Sequence, residues 1–76
     1  MIKEHERVVL KASLPDSGLE NGDVGTVVHI YPGAKAYEVE FVALDGHTAA
    51  VMTLKATQVR SATRREIAHA RELVEH

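Results

Sequence analysis

The chain has 76 residues, a formal net charge of -2 and no cysteine. That length allows one domain with a small core, because a chain of this size removes only about 60% of its unfolded surface from water. The lack of cysteine excludes disulfides and thiolate metal sites. No run approaches the about 18 apolar residues of a membrane span, so a soluble cytoplasmic domain is expected. The charge is unevenly spread. Residues 1–54 carry a net of -4 and residues 55–76 a net of +2. An acidic body repels phosphate backbones and weighs against nucleic acid as the main partner.

In chain order, Arg7 to Ser13 (RVVLKAS) holds a β-branched apolar run and reads as a first strand. The next segment, LPDSGLENGD, has the Pro, Gly, Asp and Asn content of a loop, with Leu14 and Leu19 placed to pin it to a core. Val24 to Tyr31 (VGTVVHIY) is a second strand, which PGAK turns around. From Ala36 to Leu44, Tyr37, Val39 and Phe41 alternate with Glu38 and Glu40, the period of a strand with one wet face. Asp45-Gly46 is a hairpin signal, and His47 to Leu54 returns as a fourth strand. A short KAT turn, of 3₁₀ type, leads to a fifth strand at Gln58 to Arg60.

The period then changes. In TRREIAHARELVEH, Ile67, Ala70 and Val74, with Leu73 beside them, recur at helical spacing. Thr63 stands three residues before Glu66, the spacing of a capping box. A helix this short is marginal alone in water. Its apolar stripe therefore has to pack on the barrel or on another chain. The expected architecture is mainly β, a small five-stranded, partly open barrel over residues 1–60, followed by an amphipathic C-terminal α-helix over 61–76.

Gly18, Gly22 and Gly25 invite comparison with a phosphate-cradling loop. Such a loop runs into a helix and places a lysine beside the phosphate. Here the glycines run into Val27, Val28 and Ile30, which build a strand, and Gly25 stands where a lysine would precede Thr26. Asp16, Glu20 and Asp23 put negative charge around the would-be site. The better reading is a turn at Gly22 and a closely packed or bulged strand start at Gly25.

The remaining chemistry-bearing residues do not form a constellation. His29 and His47 are far apart in the pattern. Glu66 and His69 have the i,i+3 spacing of carboxylate-bridged metal bundles, but such sites draw on several helices and only one is expected here. Ser13, Ser17 and Ser61 lack a nucleophile elbow or a base partner. Glu38 and Glu40 fall on the wet face of a strand. The sequence therefore points to a non-enzymatic protein with no metal and no cofactor.

Leu14-Pro15, Gly22, Gly25-Thr26-Val27-Val28, Tyr37 to Phe41 and Thr53-Leu54 together resemble the bacterial family known as domain of unknown function 4926, over about residues 7–60. The resemblance implies an SH3-like barrel, similar to that of the nitrile hydratase beta subunit. It implies no activity, and it brings no catalytic or binding residues. SH3-like barrels mostly bind partners, an expectation from fold alone. The aromatic-lined groove that grips polyproline cannot be built, since Tyr31, Tyr37 and Phe41 are the only aromatics of that kind and two of them belong to the core.

The expected function is thus a small protein-interaction module, an accessory subunit or antitoxin-like partner of a co-encoded protein. Its expected interface is Ile67, Ala70, Leu73 and Val74, with Arg64 and Arg71 at the rim. The alternative for that stripe is to cover the protein's own barrel. Two further functions compete: a structural homo-oligomer, and a weak nucleic-acid binder using Lys55, Arg60, Arg64 and Arg65.

Overall fold

The structure is a computed structural model and describes residues 2–73. Five strands form where the alternation and turn signals place them: β1 (Arg7–Leu10), β2 (Val24–Ile30), β3 (Ala36–Val42), β4 (Thr48–Lys55) and β5 (Val59–Ser61). Single 3₁₀ turns occupy Pro15–Ser17, Pro32–Ala34 and Ala56–Gln58. The strands make one antiparallel sheet in the order β4-β3-β2-β1-β5. That order is compatible with an SH3-like barrel.

Strand alternation puts one face of this sheet inside. Val8, Leu10, Val27, Tyr37, Val39, Phe41, Leu54 and Val59 are buried together, and Leu19 joins them from the long first loop. Leu14 and Leu19 form an isolated bridge across that loop, so the loop closes on itself while Leu19 enters the core. Gly22 donates its N–H to the Leu10 carbonyl (2.8 Å), and Leu10 donates to the Asp23 carbonyl (2.8 Å). Gly22 has φ +100°, which an L side chain rarely adopts. The Gly18–Asp23 segment is therefore tied to β1 by backbone bonds at Gly22 and Asp23 and by Leu19, which shares the core with Leu10.

Gly25 is required for a different reason. It faces the interior of the curled sheet, where β2 presses on β3. A Cβ there would lie 2.5 Å from Val39 Cγ1, 3.0 Å from Phe41 Cε1 and 3.1 Å from the Glu40 carbonyl oxygen. This is the close-packed strand start read from the sequence, and the segment leads into a strand, not into a phosphate-binding helix.

The expected C-terminal α-helix does not form. Among the described residues the only helical turns are the three 3₁₀ turns, and the chain beyond Ser61 has no regular element. Its first turn does appear: the Glu66 N–H reaches the Thr63 carbonyl (3.3 Å), and the Glu66 carboxylate accepts from the Thr63 N–H (2.8 Å). Half of the capping box is thus built, yet the helix does not propagate. The reasons are physical. Arg64 and Arg65 oppose the positive end of a helix dipole. Ile67, at the centre of the stripe, finds no packing surface and is 95% exposed. A short helix without tertiary packing is not stable. The segment gains instead from two ionic anchors described below. Of the segment 61–76, Ser61 closes β5 and residues 62–73 are an irregular tail; Val74 lies outside the described residues.

Overpacking at the β2–β3 contact generates the first prediction. Gly25→Ala should destabilise the domain by about 1–3 kcal/mol, a typical cost of forcing extra atoms into a packed core. Denaturant melts of the two proteins measure this directly. An unchanged midpoint would show that β2 can move away from Val39 without loss.

Candidate functional site

The tail is held at two points. Arg60, on β5, makes a two-pronged contact with Glu66: Nη1 to Oε1 at 2.8 Å and Nη2 to Oε2 at 2.7 Å. Ten residues after β5, Arg71 enters a notch in the first loop. Its Nε donates to Asp23 Oδ1 (2.9 Å), and Nη2 donates to Asp23 Oδ2 and to the Gly18 carbonyl (2.8 Å). Glu20 Oε2 stands 3.6 Å from Nη1. Both partners of this pair are largely shielded from water, whereas the Arg60–Glu66 pair is half exposed.

The acid strengths follow from these contacts. Burial pushes the Asp23 carboxyl up, but the Arg71 hydrogen bonds, the Glu20 N–H and the charge of Arg71 outweigh it, leaving the group below its ordinary value. The Glu66 carboxyl is held down to about 2 by the Arg60 guanidinium and the Thr63 N–H. Asp45 also lies below its usual value, first because the His47 N–H donates to it, and this bond closes its own hairpin turn.

Between the tail and the body runs an open groove of about 870 Å³. Leu19, Val24, Phe41, Val42 and Leu44 line the body side, and residues 68–73 line the other. Several apolar side chains at the groove and on the outer face of β4 stay in water. Leu44 is 97% exposed, Val42 49% and Val51 50%. Val51 pairs with Glu40 on the outer face of the sheet, where Thr48 and Thr53 hydroxyls donate to Glu40 and Glu38 at 2.6 Å. Strand β4 itself is an edge: among the described residues it pairs only with β3, and from Thr48 to Leu54 it carries neither charge nor proline.

The expected interface residues divide. Arg71 is engaged with the body and Leu73 lines the groove, as does Ala70. Arg64 and Ile67 are exposed on the turn side of the tail. Of the basic run, Arg60 is committed to Glu66, while Lys55, Arg64 and Arg65 are exposed. Around Glu66 and His69, as elsewhere among the described residues, no group of three or more candidate metal ligands is gathered. Sequence reading missed Gly18, Glu20 and Asp23 as the receptor for Arg71, and it missed the exposed Val42, Leu44 and Val51. The signal for the first was present in the acidic body and the basic tail.

Fold and surface together define a small antiparallel β domain that presents an apolar groove, a bare edge strand and an ion-paired tail. The chain belongs to the family described as Domain of unknown function (DUF4926), whose model matches residues 4–61. No curated protein and no solved structure matches it. No helix among the described residues is long and apolar enough to cross a membrane.

The lowered carboxyls carry a pH prediction. A carboxyl depressed on folding contributes stability that is complete above its unfolded value and is lost as pH falls through its folded value. For Glu66 that window runs from about 4.5 down to about 2. Carboxyl NMR titration should place the Glu66 midpoint near the lower figure, and Arg60→Ala should raise it. Arg71→Ala should likewise raise the Asp23 midpoint, since burial would then be less opposed. An unmoved Asp23 midpoint would mean that the guanidinium does not occupy the notch in solution.

Proposed function

We propose that the chain is a small non-enzymatic protein-interaction module, and that its partner seats on the groove and the adjoining outer face of β3 and β4. The observation that carries this reading is the set of exposed apolar side chains, Val42, Leu44 and Val51, beside an edge strand that is uncharged from Thr48 to Leu54. Contiguous apolar surface and unprotected edges are costly to leave in water and prone to pairing. The tail supplies the rim through Ala70, Arg71 and Leu73. In this reading the partner is a protein encoded with it in a bacterial cytoplasm, in the manner of an accessory subunit or an antitoxin.

A second reading is favoured by one feature of its own. Strand β4 is eight residues long and open on one side, so two copies can pair edge to edge across a two-fold axis. Nucleic-acid binding has less support, since Glu66 neutralises Arg60 and the exposed run is reduced to Lys55, Arg64 and Arg65.

The test is a native pull-down with the full chain and with Val51→Asp as baits, read by mass spectrometry and paired with mass measurement in solution. A stoichiometric protein should be retained by the wild type and lost with Val51→Asp. The variant should lose about 1 kcal/mol of stability, because the new carboxylate faces Glu40 across the β3–β4 pair, and melts of both baits check that it stays folded. A mass that doubles for the wild type and drops for Val51→Asp would favour the homo-oligomer. Retention of the same partner by both baits would overturn the proposed surface.

A further inference from the structure

The notch that receives Arg71 is built by the domain, and its occupant comes from outside the family-matched portion, which ends at residue 61. The receptor is organised without Arg71. Asp23 Oδ2 accepts from the Glu20 N–H at 2.8 Å, and the Asp23 N–H donates back to the Glu20 carbonyl at 3.0 Å. Gly22 and Asp23 are bonded to Leu10 of β1, and Gly18 is fixed by the bond of its N–H to the Pro15 carbonyl at 3.1 Å. These contacts aim two carboxylate oxygens and the Gly18 carbonyl at one point, with Glu20 beside it. That arrangement is complementary to the planar fork of a guanidinium and poorly suited to an ammonium.

The occupant is held lightly elsewhere. From Thr63 to Ala70 the tail is exposed, and its other anchor is the half-exposed Arg60–Glu66 pair. From the notch, the apolar groove of Leu19, Val24, Val42 and Leu44 continues along the body. We propose that the Gly18–Glu20–Asp23 notch is an arginine-recognition site for an extended, arginine-bearing segment of a partner protein, with Arg71 as a resident ligand that the partner displaces. This rests on the interaction-module reading and names the chemistry of its partner. The seated guanidinium and the net charge of -4 over residues 1–54 both argue for a cationic occupant.

The experiment uses the full-length chain carrying Arg71→Ala, and a synthetic peptide with the sequence of residues 66–73, whose one arginine is that of position 71. Amide NMR signals of Gly18, Glu20 and Asp23 should shift saturably on addition of the peptide and move toward their wild-type positions. The wild type should bind the peptide about tenfold or more weakly, because the tethered Arg71 competes at high effective concentration. A peptide with glutamine in place of the Arg71 arginine should leave those signals unmoved, and Asp23→Asn in the Arg71→Ala chain should abolish the response. Should Arg71→Ala fail to fold, Arg71→Lys gives the same comparison of the two peptides. Equal shifts with both peptides, or none with either, overturn the proposal. So does a wild-type mass that doubles with concentration while Gly18, Glu20 and Asp23 shift, which would put the tail of a second copy in the notch. Loss of the notch would leave the Val51-dependent capture intact, so the two readings fail separately.

Discussion

The contact between β2 and β3 at Gly25 is the constraint on which the rest depends. With so few buried side chains, the sheet must curl tightly to close a core around Val8, Val27, Val39 and Leu54. Curling brings the β2 backbone against the Val39 and Phe41 side chains, and only hydrogen fits on the α-carbon that meets them. Leu19 joins that core from the first loop, and Asp23 beside it lines the groove.

Electrostatics then decides the tail. A short amphipathic segment has two ways to lower its free energy: coil into a helix and bury a stripe, or stay open and satisfy its charges. The first requires a surface for Ile67, and the body offers none to it. The second is available because the first loop concentrates carboxylates and a free carbonyl, and because β5 presents Arg60 beside Glu66. A partly shielded guanidinium–carboxylate pair is stronger than an exposed one, so the Arg71 anchor is the more consequential of the two. The result is a tail that shields one end of the sheet yet leaves its apolar residues in water.

Much of the fold was legible in the chain. Tyr37, Val39 and Phe41 alternating with glutamates gave away the inner face of β3, and Asp45-Gly46 marked the hairpin because its backbone demands are local. Thr63 and Glu66 also announced a helix start, and that turn is present. What the spacing could not reveal was whether the helix would continue, since that depends on what lies opposite Ile67. The candidate site was less legible still. Arg71 and Asp23 are 48 residues apart, and no periodicity connects them. The opposite charges of body and tail hinted at a meeting without naming the pair.

By itself, then, the sequence determined the number of strands, their inward faces, the turn chemistry between them and the absence of any cysteine-based chemistry. These are consequences of short-range rules: side-chain alternation, the conformational freedom of glycine, and hydrogen bonds a few residues apart. Only the tertiary structure decided which apolar residues remain uncovered, which arginine meets which carboxylate, and that residues 62–73 are not helical. Those outcomes compare energies between surfaces far apart in the chain. Folding brings the Gly18–Asp23 loop and Arg71 together, and no local pattern records that distance.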